Sequence, residues 1–220
     1  MSPIKKPNPT NTRYSVGFLF VIFEINSYFS KNIKNMLLVE EKIYTIEEYF
    51  ELERNSEVKH EFVEGQLIEM PGEKKIANKL ALRLSVVLLG LLNDKVYDVF
   101  IQDVRLSTVK SKRYRYPDVM VVPVVDDEDE YTVHQAVLII EVLSPSTEKT
   151  DRNDKLKEYS KIPSVQYYLL VSQQETIIEL YRRNGNVFEY MFFTEREEVI
   201  DLPLLDVKFT IEDIYKGIIE

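Results

Sequence analysis

The chain has 220 residues, which is enough for one globular domain with a complete hydrophobic core. Its composition, 45% hydrophobic and 30% charged, is ordinary for a soluble protein, and its formal net charge of -9 argues against a surface that binds nucleic acid everywhere. The absence of cysteine excludes disulfide bonds, thiolate metal sites and cysteine nucleophiles. His60 and His134 do not have the spacing of zinc ligands.

The beginning of the chain differs from the rest, and we interpret residues 1–35 as a poorly ordered extension before one domain at 36–220, with Met36 as a candidate start. The apolar run at 17–23 is too short to cross a membrane, which takes about 20 apolar residues. The pattern also lacks the small-residue cleavage site of a signal peptide. We therefore expect a cytoplasmic protein with no membrane contact.

Three elements open the domain. Thr45 and Glu48 form a capping box that starts a short helix. Residues 61–70 alternate around Gly65, a pattern typical of a hairpin or a kinked strand. A helix follows over 75–92, whose apolar residues, Leu82 among them, are dense enough that we expect much of its surface to be buried.

The middle of the chain predicts three strands, at 96–107, 114–124 and 136–143. The first two are joined by a basic turn at 110–113, and an acidic loop at 126–130 precedes the third. The remaining elements are a helix at 146–161, a buried strand at 165–171, a hairpin at 176–193 around Asn184-Gly185 and a last helix capped by Thr210. This order indicates a single α/β domain with a central mixed sheet flanked by helices.

Two acidic residues stand at the ends of apolar strands. Asp118 precedes the run 119–122, and Glu141 follows the run 136–140. A carboxylate in such a place has lost hydration and requires a metal, a cation or several hydrogen-bond donors. If the two strands are neighbours, the acids could form a divalent-metal site suited to phosphodiester hydrolysis.

Structural ion pairs are the alternative interpretation of these acids. Asp118 could pair with Arg113 or Arg115, and Glu141 with Lys155 on the following helix.

Phosphodiester hydrolysis also needs a cation that orients the nucleophile or stabilises the developing charge. Lys155 and Lys157 lie on the helix that follows the strand of Glu141. Because residues two apart do not share a helix face, only one of these lysines can reach the acids.

An ordered set of short segments between Tyr44 and Arg183 resembles a known family, the Uma-type putative restriction endonucleases of the PD-(D/E)xK superfamily. The segments are Tyr44–Tyr49, Glu61–Gly65, Asp103–Leu106, Arg115–Val119, Glu141–Thr147, and the residues Asp151, Lys155 and Tyr159. The segment Glu141–Thr147 is the most specific of them.

This resemblance implies a restriction-endonuclease-like fold and a metal-dependent DNA endonuclease. Asp118, Glu141 and the carbonyl of Val142 would bind Mg²⁺, for which Mn²⁺ could substitute. Lys155 would replace the lysine that the superfamily carries two positions after the second acid, where this chain has Leu143. Glu61, preferred to Glu64, would be an additional acid near the metal.

The resemblance also concerns the substrate contacts. Arg105 and Arg115 would contact phosphate or pair with the acids, and Glu73-Lys74 stands where the family often has His-Gln. We expect DNA as the partner, and a homodimer because cutting both strands needs two sites. The alternative is a catalytically silent nuclease-fold protein that binds DNA or a protein partner.

Overall fold

The computed structural model describes residues 42–70, 72–108, 112–125 and 129–219. One compact unit runs from Ile43 to Glu220. The interpretation of residues 1–35, the centre of the basic turn and most of the acidic run concern residues outside these ranges.

Short helices and many strands alternate along this unit. The helices are α1 (Ile46–Asn55), α2 (Lys75–Leu91), α3, which runs through Glu148–Thr150, a π-helical turn Asp151–Lys155 and Leu156–Tyr159, and α4 (Ile211–Tyr215). The strands are β1 (His60–Val63), β2 (Gln66–Glu69), β3 (Tyr97–Ile101), β4 (Arg105–Ser107), β5 (Arg113–Arg115), β6 (Val119–Pro123), β7 (Thr132–Val133), β8 (Leu138–Leu143), β9 (Tyr167–Ser172), β10 (Ile178–Asn184), β11 (Val187–Phe193), β12 (Val199–Leu202) and β13 (Val207–Thr210).

The strands form a mixed six-stranded sheet in the order β11-β10-β9-β8-β6-β3, a five-stranded sheet in the order β2-β1-β5-β4-β7, and the pair β12-β13. Within the six-stranded sheet β8 and β9 are parallel, and the other neighbouring strands are antiparallel. The prediction of an α/β fold with a mixed sheet is therefore confirmed. Each of the strands predicted at 96–107 and 114–124, however, is two strands that belong to different sheets.

The predictions of single strands at 96–107 and 114–124 were both wrong, because each segment divides into two strands. The first divides into β3 and β4, because Gln102 has a φ of 40°, which a strand cannot continue through. The second divides into β5 and β6 around Pro117, which has no N–H to donate to a ladder. This division places Asp118 immediately before β6, where the chain passes from one sheet to the other.

Helices cover both faces of the six-stranded sheet. Val121 and Ile140 belong to the core shared with α2 and α4, whereas Met120 and Ile139 belong to the core shared with α3. Because side chains alternate along a strand, Asp118 and Glu141 lie on the α3 face. The sheet therefore presents both acids to the helix that carries Lys155.

One prediction about α2 was wrong. Leu82 is 56% exposed, and Val86 and Leu89 on the same side of the helix are exposed as well. The helix is buried on one face through Ala77, Leu80, Ala81, Leu84 and Leu88, so its apolar density did not mean burial all round.

The predicted capping boxes and hairpins are confirmed. Thr45 and Glu48 cap α1 reciprocally, and Thr210 caps α4 together with Asp213. Glu64 and Gly65, with φ angles of 52° and 95°, form the turn between β1 and β2. Two consecutive positive φ angles are typical of a type I′ hairpin turn, and a Cβ at 65 would lie 2.6 Å from Ile43 Cγ2, so both the backbone conformation and the space favour glycine.

Replacing Gly65 with alanine should lower the free energy of unfolding by about 1–2 kcal/mol, because an L-residue is strained at this φ. Gly90→Ala is the matched control: a side chain there meets nothing within 4 Å, and the change should raise stability by about 0.5–1 kcal/mol. Urea unfolding measures both. Equal stability of Gly65→Ala and the parent protein would contradict the assignment of the turn.

Candidate active site

Asp118 and Glu141 stand side by side. β6 and β8 are antiparallel with Val119 opposite Ile140, so the next step of this register pairs Asp118 with Glu141. The backbone N–H of Val142 donates to Asp118 Oδ2 at 2.7 Å. All three residues line a cavity of about 490 Å³. The structure thus brings together the residues that the resemblance assigns to a metal.

Lys155 supplies a cation to the same place. Its Nζ lies 2.9 Å from Glu141 Oε1, 3.1 Å from Asp151 Oδ1 and 3.7 Å from Glu61 Oε1. Burial alone would lower the pKa of Lys155, but these three acids raise it well above the ordinary value. Lys157 is exposed on the other side of α3, so of the two candidate lysines only Lys155 reaches the acids.

Tyr159 also contacts the acids, which sequence reasoning missed. Its ring packs in the core, and its hydroxyl donates to Glu141 Oε1 at 3.1 Å. Burial, followed by the charges of Glu141 and Glu61, raises the pKa of Tyr159 well above its ordinary value, so the hydroxyl keeps its proton. The i, i+4 spacing of Lys155 and Tyr159 could have indicated this shared face.

Of the two candidate glutamates on the first hairpin, Glu61 is the one in the site. Glu61 is buried, faces Lys155 and accepts from Arg115 Nη1 at 2.7 Å. Glu64 is exposed in the hairpin turn and pairs with Arg113 at 2.6 Å.

Of the two roles expected for Arg115, phosphate contact or pairing with the acids, the structure shows the second. Arg115 lines the cavity but is only 3% exposed, and its guanidinium is taken up by Glu61 and Glu158. Arg113 pairs with Glu64 and Glu158, so neither arginine is the partner of Asp118. The ion-pair alternative for Asp118 is therefore wrong as we stated it.

Arg105 lies outside this cavity. Its guanidinium carbon is 4.7 Å from the centre of the Phe50 ring, and the residue is 9% exposed. This stacking gives Arg105 a structural partner away from the acids.

Sequence reasoning gave no role to three further buried polar residues near the site. Asp151 Oδ1 approaches Lys155, although the two atoms are not aligned for a hydrogen bond. Gln173 lines the cavity and donates to the Leu143 carbonyl at 2.9 Å. Glu158 binds Arg113 and Arg115. Of these three residues, Asp151 carried a signal in the sequence, because it belongs to the set that resembles the family and is spaced i, i+4 from Lys155.

Burial shifts both acids towards their protonated forms. Burial raises the pKa of Asp118 to about 6, against the opposing effects of the Val142 N–H and Lys155. Burial likewise raises the pKa of Glu141, although Lys155 opposes it. Asp118 Oδ1 and Glu141 Oε2 accept no hydrogen bond from the described residues.

These two carboxylates fit a divalent cation by their chemistry. Mg²⁺ takes oxygen ligands and commonly uses one or two carboxylates with water and substrate phosphate. In the described ranges no group of three or more histidine, aspartate or glutamate side chains is arranged to hold a metal ion. A bound ion would thus rely on Asp118, Glu141 and non-side-chain oxygens, such as the Val142 carbonyl.

The fold resembles that of a protein of known structure. A protein described as a putative nuclease belonging to DUF820, from Anabaena variabilis ATCC 29413, matches with a TM-score of 0.64 and 18% identity, over 80% of this chain and 99% of that one. Residues 46–212 match the sequence profile of the Uma2 family, described as putative restriction endonuclease. The chain belongs to this family, and the match extends beyond Arg183, where the resemblance found in the sequence ended.

Two proteins of Synechocystis sp. (strain ATCC 27184 / PCC 6803 / Kazusa) are similar in sequence. The uncharacterized protein sll1609 is 36% identical over 154 residues, covering 69% of this chain and 87% of its own length. The uncharacterized protein slr1290 is 31% identical over 175 residues, covering 78% of this chain and 91% of its own length. No helix among the described residues is long and apolar enough to cross a membrane.

Replacing Asp118 with asparagine should stabilise the metal-free protein at neutral pH. Because folding raises the pKa of Asp118 to about 6, its ionised form is less favourable in the folded state, and this cost grows as pH rises from 4 to above 6. In EDTA, the melting temperature of Asp118→Asn should therefore exceed that of the parent protein at pH 8, with a smaller difference at pH 5. A variant that is less stable at pH 8 would mean that Asp118 is a stabilising ion-pair residue.

Proposed function

We propose that this protein is a metal-dependent endonuclease that hydrolyses phosphodiester bonds of DNA. Family and fold support a restriction-endonuclease-like nuclease. The observation that carries the finer proposal is the cluster of Asp118, Glu141 and the protonated Lys155 in one cavity. Two partly unpaired carboxylates beside a cation are the parts that metal-assisted hydrolysis requires.

Asp118 and Glu141 would hold the ion, with the Val142 carbonyl beside them. Mg²⁺, or Mn²⁺ in its place, would polarise the phosphate and acidify a water when bound. Lys155 and Tyr159 both contact Glu141 Oε1, which leaves Oε2 for the ion. The Val142 N–H donates to Asp118 Oδ2 in the same way, which leaves Oδ1 for the ion.

Lys155 and Glu61 would act on the reacting groups. Three acids keep the Lys155 ammonium protonated, so it can donate to the negative charge that develops on the phosphate. Glu61 lies 3.7 Å from the Lys155 ammonium and lines the same cavity as Glu141, so it could accept a hydrogen bond from the attacking water.

A groove of about 820 Å³ adjoins the cavity and shares Glu73 and Asp118 with it. Its lining is mixed in charge, since Lys59, Lys75 and Lys79 lie beside Glu57, Glu69, Glu73, Asp103 and Asp118. Lys74, at the start of α2, lines the cavity itself. These lysines offer phosphate contacts in place of Arg105 and Arg115, despite the acidic net charge of the whole chain.

A homodimer is part of this proposal, because cleavage of both DNA strands requires two sites. The exposed apolar residues Leu82, Val86 and Leu89 of α2 would be candidates for such a contact.

A catalytically silent nuclease-fold protein is the second candidate. It is favoured by the Lys155–Glu141 ion pair, which is buried and could be purely structural. The two candidates differ in their response to metal, since a purely structural pair has no reason to bind an ion.

Adding Mg²⁺ or Mn²⁺ should raise the melting temperature and produce nicked plasmid, and Asp118→Asn should abolish both effects without loss of fold. Thermal unfolding beside a plasmid assay measures the two together. Metal-induced stabilisation without nicking would support the site and not the plasmid substrate. Neither effect in folded protein would favour the silent candidate.

Lys155→Ala should reduce the cleavage rate at least about 100-fold, within the range for loss of one charge-stabilising donor, whereas Lys157→Ala should change it less than about twofold. Because Lys155 is buried, Lys155→Met, which keeps the volume of the side chain, controls for loss of fold. Single-turnover cleavage of a labelled duplex makes the comparison. The reverse ranking of the two lysines would reject the assignment.

A further inference from the structure

Glu158 is the most extensively paired carboxylate near the site, yet it does not line the cavity. Its side chain is completely buried. Oε2 lies 2.9 Å from Arg113 Nη1 and 2.9 Å from Arg115 Nη2, and Oε1 accepts from the hydroxyl of Thr108. Arg115 Nε, 3.3 Å from both oxygens, completes a forked contact. These bonds hold the pKa of Glu158 below its ordinary value, although burial would raise it.

The partners of Glu158 connect two parts of the fold. Arg113 and Arg115 form β5 and Thr108 follows β4, so Glu158 fastens α3 to the five-stranded sheet. The same helix presents Lys155 and Tyr159 to Glu141 in the six-stranded sheet. The position of the Lys155 ammonium therefore depends on how α3 is held between the two sheets.

Arg115 extends this connection into the cavity. Its Nη1 donates to Glu61 Oε2 at 2.7 Å, while Glu61 Oε1 faces Lys155 at 3.7 Å. The charges alternate from Glu158 through Arg115, Glu61 and Lys155 to Glu141. Loss of the Glu158 charge would leave Arg115 paired with Glu61 alone. Glu61 would then attract the Lys155 ammonium less strongly.

We propose that Glu158 and Arg115 are positioning residues, which set Lys155 and Glu61 against the Asp118–Glu141 pair without touching the substrate. This inference rests on the proposed function and assigns Arg115 a role other than phosphate contact. Direct hydrogen-bond partners of metal ligands typically change activity about 10–100-fold when they are lost, and Glu158, which acts through Arg115 and Glu61, should fall towards the lower end of that range.

The chain offers a matched control for this proposal. Glu179 is buried on β10. Its Oε1 accepts hydrogen bonds from Arg152 of α3, from Nε at 3.0 Å and from Nη2 at 2.6 Å. This forked pair also fastens α3 to a sheet, but neither residue lines the cavity. Glu179→Gln should therefore remove a comparable pair without disturbing Lys155.

Glu158→Gln keeps the volume of the side chain and removes its charge. We expect kcat on a DNA duplex to fall about 10–100-fold with KM within about threefold, and Glu179→Gln to change kcat less than about twofold. In a double-mutant cycle, Glu158→Gln should cost less activity once Lys155 is methionine than it costs in the parent protein, since part of its effect passes through Lys155. Equal losses in the two glutamine variants, or additive losses in the cycle, would overturn the proposal.

A readout that needs no activity separates this inference from the proposed function. The ¹⁵N ammonium signal of Lys155, identified by its absence in Lys155→Met, should shift or broaden in Glu158→Gln and stay unchanged in Glu179→Gln. An unchanged signal in Glu158→Gln would overturn the positioning role, whatever the nuclease assay shows. If Glu158→Gln does not fold, Arg115→Lys, which keeps the charge and loses the fork, should give the same shift.

Discussion

The burial of the Lys155 ammonium among Glu141, Asp151 and Glu61 is the interaction on which the site depends. An unpaired buried ammonium would cost several kcal/mol, so this lysine is stable there only because acids surround it. At 4 Å and an effective dielectric constant of about 20, one such attraction is worth about 4 kcal/mol. The same attraction keeps the amine protonated in a place where burial would otherwise discharge it. Stability and the chemistry we propose thus rest on one arrangement of charges.

The fold places these charges by bringing two sheets and one helix together. The irregular positions at Gln102 and Pro117 take the chain from one sheet to the other, and Asp118 stands between Pro117 and the start of β6 at Val119. The π-helical turn Asp151–Lys155 lies in α3 over the same sheet face. Such turns often occur at functional sites, because an extra residue in one turn changes which side chains face inward.

Much of this arrangement could be predicted from the sequence. Asp118 and Glu141 were recognised because charged residues at the ends of apolar runs are costly to bury, and Glu61 and Lys155 because they match a family pattern. The sequence could not show that Arg115 would form ion pairs with both Glu61 and Glu158. It could not show that Arg105 would stack on Phe50 either, since these partners lie far away along the chain. The sequence pattern also predicted β3 and β4 as one strand, and β5 and β6 as another, because apolar residues continue on both sides of Gln102 and of Pro117.

The central claim is that Asp118 and Glu141 together bind one divalent cation. Anomalous diffraction from crystals soaked in Mn²⁺, with Asp118→Asn crystals treated in the same way, tests this claim most directly. We predict an anomalous peak within bonding distance of Asp118 Oδ1 and Glu141 Oε2 in the parent protein and none in the variant. A map without a peak at these carboxylates, with Lys155 still bound to Glu141, would contradict the account and leave a structural ion pair.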